Sequence, residues 1–139
     1  MNYLLDTNVV SEIPKPRPNE GVLGWLDQSD EDSIFLSVVT IAELRHGIER
    51  LPAGRRRRVL DDWFRNDLRE RFEGRLIPVD AAIADTCGKL MATCEASGRT
   101  MELADALIAA TAEVHNLALV TRNVTHFQTS VKHLVTPWT

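Results

Sequence analysis

The sequence is poor in the features that mark many specialised classes of protein. It has two cysteines among 139 residues, Cys87 and Cys94, seven apart in a stretch that reads as one helix. Two helical turns separate them by about 10 Å, too far for a disulfide. No Cys/His group has zinc-ligand spacing. The two thiols therefore read as small core residues in a reducing cytoplasm. No apolar run approaches the roughly 20 residues of a membrane span, so no membrane partner is expected. The N-terminus has no basic segment and meets an acid at position 6, unlike a secretory signal. Internal repeats and low-complexity tracts are absent. So is an excess of positive charge: 16 Lys and Arg face 20 Asp and Glu, net −4. That argues against a general nucleic-acid coat protein and says little about a local site.

What is present is an ordinary globular balance, 44% hydrophobic and 26% charged. The length fits a single domain over residues 1–139, able to bury roughly two thirds of its unfolded surface. Short apolar runs at Tyr3-Leu4-Leu5, Ile34-Phe35-Leu36, Leu76 to Val79 and Leu117 to Val120 read as buried strands, with a last short one near His133 to Val135. Pro78 weakens a central placement for the third. Between them the spacing predicts helices: a short one from Thr7 to Ile13, one capped by Asn19, one capped by Ser37 or Thr40, and a long charged one from about Arg55 to Phe72. Two more follow, one from the Asp80 cap to Ala96 and one over Leu103 to Val114. Alternation of this kind implies an α/β fold, a three-layer α/β/α sandwich around a mostly parallel sheet of four to five short strands. Ligand sites in such sheets lie beyond the carboxyl ends of the strands.

Three acids sit in strongly apolar sequence: Asp6 after Tyr3-Leu4-Leu5, Glu43 within Val38 to Leu44, and Asp105 among Ala and Leu of the last helix. A carboxylate in such surroundings needs a partner or a cation. Like charges 4 Å apart repel by about 4 kcal/mol at an effective dielectric near 20. Three together would hold protons or bind a cation. Hard oxygen ligands favour Mg²⁺, with Mn²⁺ as a substitute. Such an ion activates water and shields a phosphodiester, the chemistry of a metal-dependent nuclease. Each acid also has a plainer reading. Asp6 can cap the Thr7 helix, Glu43 can pair with Arg45 or Arg50, and Asp105 has the fewest alternatives.

Lesser candidates surround them. Thr7 and Asn8 adjoin Asp6. Thr121 and Asn123 follow the fourth strand, where site residues belong, and equally suit a turn. Glu102 shares a helix face with Asp105, or supplies charge at the helix start. Arg55 to Arg58 is either a phosphate-contacting patch or a solvated face. The four histidines are scattered and none is assigned a role.

Four segments in order resemble the motifs of PIN-domain toxins of the VapC type, nearest the FitB-like branch. They are Leu4-Leu5-Asp6-Thr7-Asn8-Val9-Val10-Ser11-Glu12, Thr40-Ile41-Ala42-Glu43-Leu44-Arg45-His46-Gly47-Ile48, Ala104-Asp105-Ala106-Leu107-Ile108-Ala109-Ala110-Thr111-Ala112 and Leu119-Val120-Thr121-Arg122-Asn123-Val124. Pro137-Trp138 resembles the usual ending. The resemblance implies the toxin of a type II toxin–antitoxin system: a Mg²⁺-dependent endoribonuclease, homodimeric and neutralised by a cognate antitoxin of the VapB/FitA kind. Operator DNA would be reached only through that antitoxin. By matched position Asp6, Glu43 and Asp105 form the catalytic cluster, with Thr121 and Asn123 beside it, and Asp6 and Asp105 ligate the metal. The fourth motif departs from many members, since Thr121 to Phe127 contains no acid and Asn123 brings no charge. A second reading follows from that gap: a catalytically weak or inactive module acting mainly through antitoxin and operator. A phosphatase with Asp6 as nucleophile is disfavoured, because Asn8 stands where that chemistry wants a second Asp.

Overall fold

The computed structural model describes residues 1–139. Five parallel strands form one sheet in the order β3-β2-β1-β4-β5. They are β1 Tyr3–Leu5, β2 Ile34–Ser37, β3 Leu76–Ile77, β4 Ala118–Val120 and β5 Leu134–Val135. β3 is two residues long, ends at Pro78 and lies at the edge, where a residue without an N–H is tolerated. β1 is central, and the chain moves from it to β2 and β3 on one side, then returns to β4 and β5 on the other. The crevice between the ends of β1 and β4 is thus the switch point of the sheet.

Alternation along the strands divides the core. Leu4 and Leu119, paired in register, face one layer with Ile83, Cys87, Ile108 and Phe127. Leu5 and Val120, the next pair, face the other with Val9, Val22, Leu44, Phe64 and Phe72. The helices that cover these faces start where the sequence caps them. Asn19 accepts from the Val22 N–H at the start of α2 (Glu20–Gln28), Ser37 from Val39 at α3 (Val38–Glu49), and Asp80 from Ile83 at α6 (Ala81–Ala96). α7 spans Leu103–Val114 and ends at Asn116, which takes a left-handed φ of 53° while Leu117 N–H bonds back to Ala112. Cys87 and Cys94 are buried and unbridged on the inner face of α6. No helix is long and apolar enough to cross a membrane.

Three elements differ from the sequence reading. α1 is only Thr7–Val10, continued by turns. The long charged helix is broken into α4 (Arg55–Asp62), a π-helical stretch (Trp63–Leu68) and α5 (Arg69–Arg71). Phe64, Leu68 and Phe72 nevertheless keep to one buried face along the whole stretch. A short α8 (Val124–Phe127) follows β4, where the sequence offered only turn signals.

The C-terminal segment closes over α2. Thr139 hydrogen-bonds Asn19, and Arg122 stacks over the Trp138 ring. The contact requires glycine at 21: a Cβ there would stand 2.2 Å from the Pro137 carbonyl oxygen. At Gly24, on the same helix, a Cβ meets nothing within 4 Å. Gly21→Ala is expected to lose about 1–3 kcal/mol by overpacking, and Gly24→Ala to gain about 0.5–1 kcal/mol in helix propensity. Urea denaturation of the two variants checks the opposite signs.

Candidate active site

The switch-point crevice is built around Asp6. Its residue ends β1 and caps α1, and its side chain is 5% exposed. Oδ1 accepts the Thr7 backbone N–H at 2.8 Å. Oδ2 accepts the Thr121 hydroxyl at 2.8 Å from the fully buried residue that follows β4. The Asp6 N–H itself bonds the Val120 carbonyl at 2.9 Å, so the carboxylate is tied to both sides of the crevice. Asn8 braces the same joint: its amide lies 3.4 Å from Asp6 Oδ2 and from Thr121 Oγ1, while its oxygen accepts the Arg122 N–H at 3.2 Å. Capping and site formation are therefore the same arrangement, not alternatives. Burial pushes the Asp6 carboxyl up from its ordinary value of 3.8, against the Thr121 hydrogen bond, the Thr7 N–H and the His126 charge, which lower it.

Glu43, half-buried on α3, joins the network through Thr7, whose hydroxyl donates to Oε1 at 2.6 Å. The Thr40 hydroxyl, fully buried one turn earlier on α3, lies 3.2 Å from that of Thr7. The Thr40–Glu43 spacing of three put both on one helix face, a signal the sequence reading did not use. Arg45 is taken up by Asp61 at 2.8 Å and Glu49 at 3.0 Å, so Glu43 has no basic partner there.

Asp105 comes from the other layer. It is the third residue of α7, in the first turn where the helix dipole favours an anion, rather than deep in an apolar helix. No hydrogen bond joins it to Asp6 or Glu43. It is linked to them by field: burial raises its carboxyl above 3.8, the Asp6 charge raises it further, His126 opposes, and Glu43 and Glu102 add to the rise. Asp6 and Glu43 thus share one hydrogen-bonded network, with Asp105 across the crevice. No three carboxylate, imidazole or thiol side chains enclose a common point.

Asn123 sits at the exposed rim. Its backbone N–H donates to Thr121 Oγ1 at 3.0 Å, and its side chain makes no hydrogen bond. Glu102 is exposed at the start of α7 and makes no side-chain cap. Of the Arg55 to Arg58 patch, Arg57 pairs with Glu49 and the others are not ion-paired. Two residues went unassigned in the sequence. His126, on α8, places Nδ1 3.8 Å from Asp105 Oδ2. Nothing in the spacing of the histidines marks it. Glu12 is 5% exposed, accepts Lys15 Nζ at 2.5 Å and the Asn19 N–H at 2.7 Å, and is held below the ordinary carboxylate range chiefly by Lys15. The Glu12–Lys15 spacing was its only signal.

Comparison with known proteins bears on the family and the fold. The family profile described as PIN domain matches residues 3–130. The chain is 36% identical over 135 residues to "VapC ribonuclease Y4jK" of Sinorhizobium fredii, covering 97% of this chain and 96% of that protein. It is 36% identical over 135 residues to "Toxin FitB" of Neisseria gonorrhoeae, covering 97% of each. A solved structure of FitAB bound to an IR36 DNA fragment superimposes with a TM-score of 0.91 at 34% identity, covering 99% of this chain and 96% of that one.

The raised carboxyl of Asp105 has a definite sign in stability. A carboxyl raised in the folded state contributes stability below its unfolded value that is lost as pH rises through the folded value. In chelator, Asp105→Asn is therefore expected to melt a few degrees above the parent chain at neutral pH. The difference should shrink as the pH falls toward the ordinary carboxyl value of 3.8. Thermal denaturation from about pH 4 to about pH 8 checks it.

Proposed function

The chain belongs to the PIN-domain family, and from that premise we propose that it is the toxin of a type II toxin–antitoxin pair. In this reading it is a metal-dependent endoribonuclease of the cytoplasm that acts as a homodimer and is restrained by a cognate VapB/FitA-like antitoxin, through which alone it meets operator DNA. The observation that carries the reading is a pair of carboxylates, Asp6 and Asp105, facing one crevice without a lysine or arginine, both raised by burial, with the Asp6 charge raising Asp105 further.

That donor set fits a hard divalent cation. Two carboxylates with waters completing the shell is the usual arrangement for Mg²⁺, and the same oxygens accept Mn²⁺. Asp6 and Asp105 would hold it, and when bound it would shield the phosphodiester charge and acidify a water. The protein's own groups do the rest. The Thr7 N–H and Thr121 hydroxyl fix both oxygens of Asp6, so the anion is in place before substrate arrives. Thr7 orients Glu43, whose carboxylate takes the proton of the attacking water as general base. The unbonded Asn123 amide, at the rim, offers a neutral donor to a phosphate oxygen without adding negative charge.

Asp105→Asn should abolish Mg²⁺-dependent cleavage of structured RNA, and Glu43→Gln should slow it by about 10²–10⁴-fold. Cleavage by purified Asp105→Asn at the parent rate would overturn the assignment. Independently of turnover, Mg²⁺ at a hundredfold excess over its Kd should stabilise the parent chain by about 2.7 kcal/mol. Asp105→Asn should lose that gain in the same melting experiment.

A further inference from the structure

A cavity of about 370 Å³ opens beside Asp105, between the α6–α7 turn and α8. Its walls differ in chemistry. The floor is Cys94 and Met101, two buried sulfurs 4.0 Å apart. Arg99, Glu102, Asp105 and His126 also line it, His126 lying against Asp105. None of Arg99, Cys94 or Met101 has a part in the reading above.

Arg99 is placed with some precision. Gly98, at φ 77°, turns the chain out of α6, and the Arg99 N–H closes the turn on the Cys94 carbonyl at 2.9 Å. Its guanidinium donates to the Thr129 hydroxyl, bridging the turn to the segment after α8. It is in no ion pair, unlike Arg45, Arg57, Arg65, Arg71 and Arg75. One donor of the five is used, and the remainder is a fork suited to phosphate. His126 is 57% exposed with Nδ1 turned to Asp105, which leaves its other ring nitrogen for a ligand. The floor suits the flat face of a base, since thiol and thioether are polarisable and pack well on aromatic rings.

We propose that this cavity is a nucleotide subsite for single-stranded RNA: Arg99 and His126 hold the phosphate next to the one being cut, and its base lies against Cys94 and Met101. The inference rests on the ribonuclease reading and goes beyond it by naming where the flanking nucleotide sits. Asp105 belongs to the cation in that reading, so Glu102 alone faces the incoming phosphate against Arg99 and the imidazole N–H. The subsite makes no base-edge hydrogen bond and so positions RNA without choosing its sequence.

The test measures binding of a short fluorescent single-stranded RNA of mixed sequence by anisotropy, with Glu43→Gln in every protein to suppress cutting. Arg99→Ala should weaken binding by about tenfold and flatten the slope of log K against log salt by about 0.7, the value of one lost phosphate contact. Arg99→Lys should keep the slope and recover part of the affinity. With Glu43 restored, His126→Ala should raise KM for RNA more than it lowers kcat. Unchanged affinity and slope in Arg99→Ala, at an unchanged melting temperature, overturns the subsite. So does Arg99→Lys failing as fully as Arg99→Ala, because a lost charge is then not the cause. If the parent chain cuts RNA while these variants bind normally, the subsite falls alone. If the parent chain neither cuts nor binds RNA, the ribonuclease reading falls and takes the subsite with it.

Discussion

The rest of the molecule depends on one buried anion held across a seam. Asp6 spans the ends of β1 and β4, accepting from Thr7 at the start of α1 and from Thr121 just after β4. A carboxylate 5% exposed is expensive to keep ionised, and two short hydrogen bonds do not cancel that cost, since burial still dominates its proton affinity. The sheet order makes this possible. Because β2 and β4 lie on opposite sides of β1, the chain leaves a crevice at the end of the central strand.

Around that anion the protein arranges further polar and charged groups. Thr40, Thr7 and Glu43 form a short polar line from the buried start of α3 to the crevice. Asp105 arrives on the first turn of α7, where the helix favours its charge while its neighbours oppose it. Asn8 and Arg122 connect the two strand ends, and Arg122 in turn lies on Trp138 of the closing segment. Glu12 anchors the turn after α1 to the start of α2. The acids of the crevice are thus seated by ordinary capping and turn chemistry.

Much of this was legible in the residues. The five strands, the caps Asn19 and Asp80, Ser37 as one of two caps offered for α3, and a non-central place for the Pro78 strand follow from local rules, and each stands where the sequence put it. Apolar flanks singled out Asp6, Glu43 and Asp105 because a charge among Leu, Val and Ala has few solvated alternatives. The break in the long charged helix was not legible, because Phe64, Leu68 and Phe72, buried in one core, are spaced as in an unbroken helix. Nor was the seating of His126 beside Asp105, since α8 is four residues long and Phe127 packs it into the same core layer as α7.

Sequence alone determined the type of most elements, where the capped helices start, and which acids stand among apolar neighbours. These are properties of neighbours along the chain, decided by propensity, capping and alternation. Tertiary structure decided which acid hydrogen-bonds and which is felt only through its field. It also decided that the Arg99 turn and α8 enclose a cavity beside Asp105. Those outcomes turn on distances between residues far apart in sequence, 115 in the case of Thr121 and Asp6, and chain order does not fix such distances until the sheet brings its strands side by side.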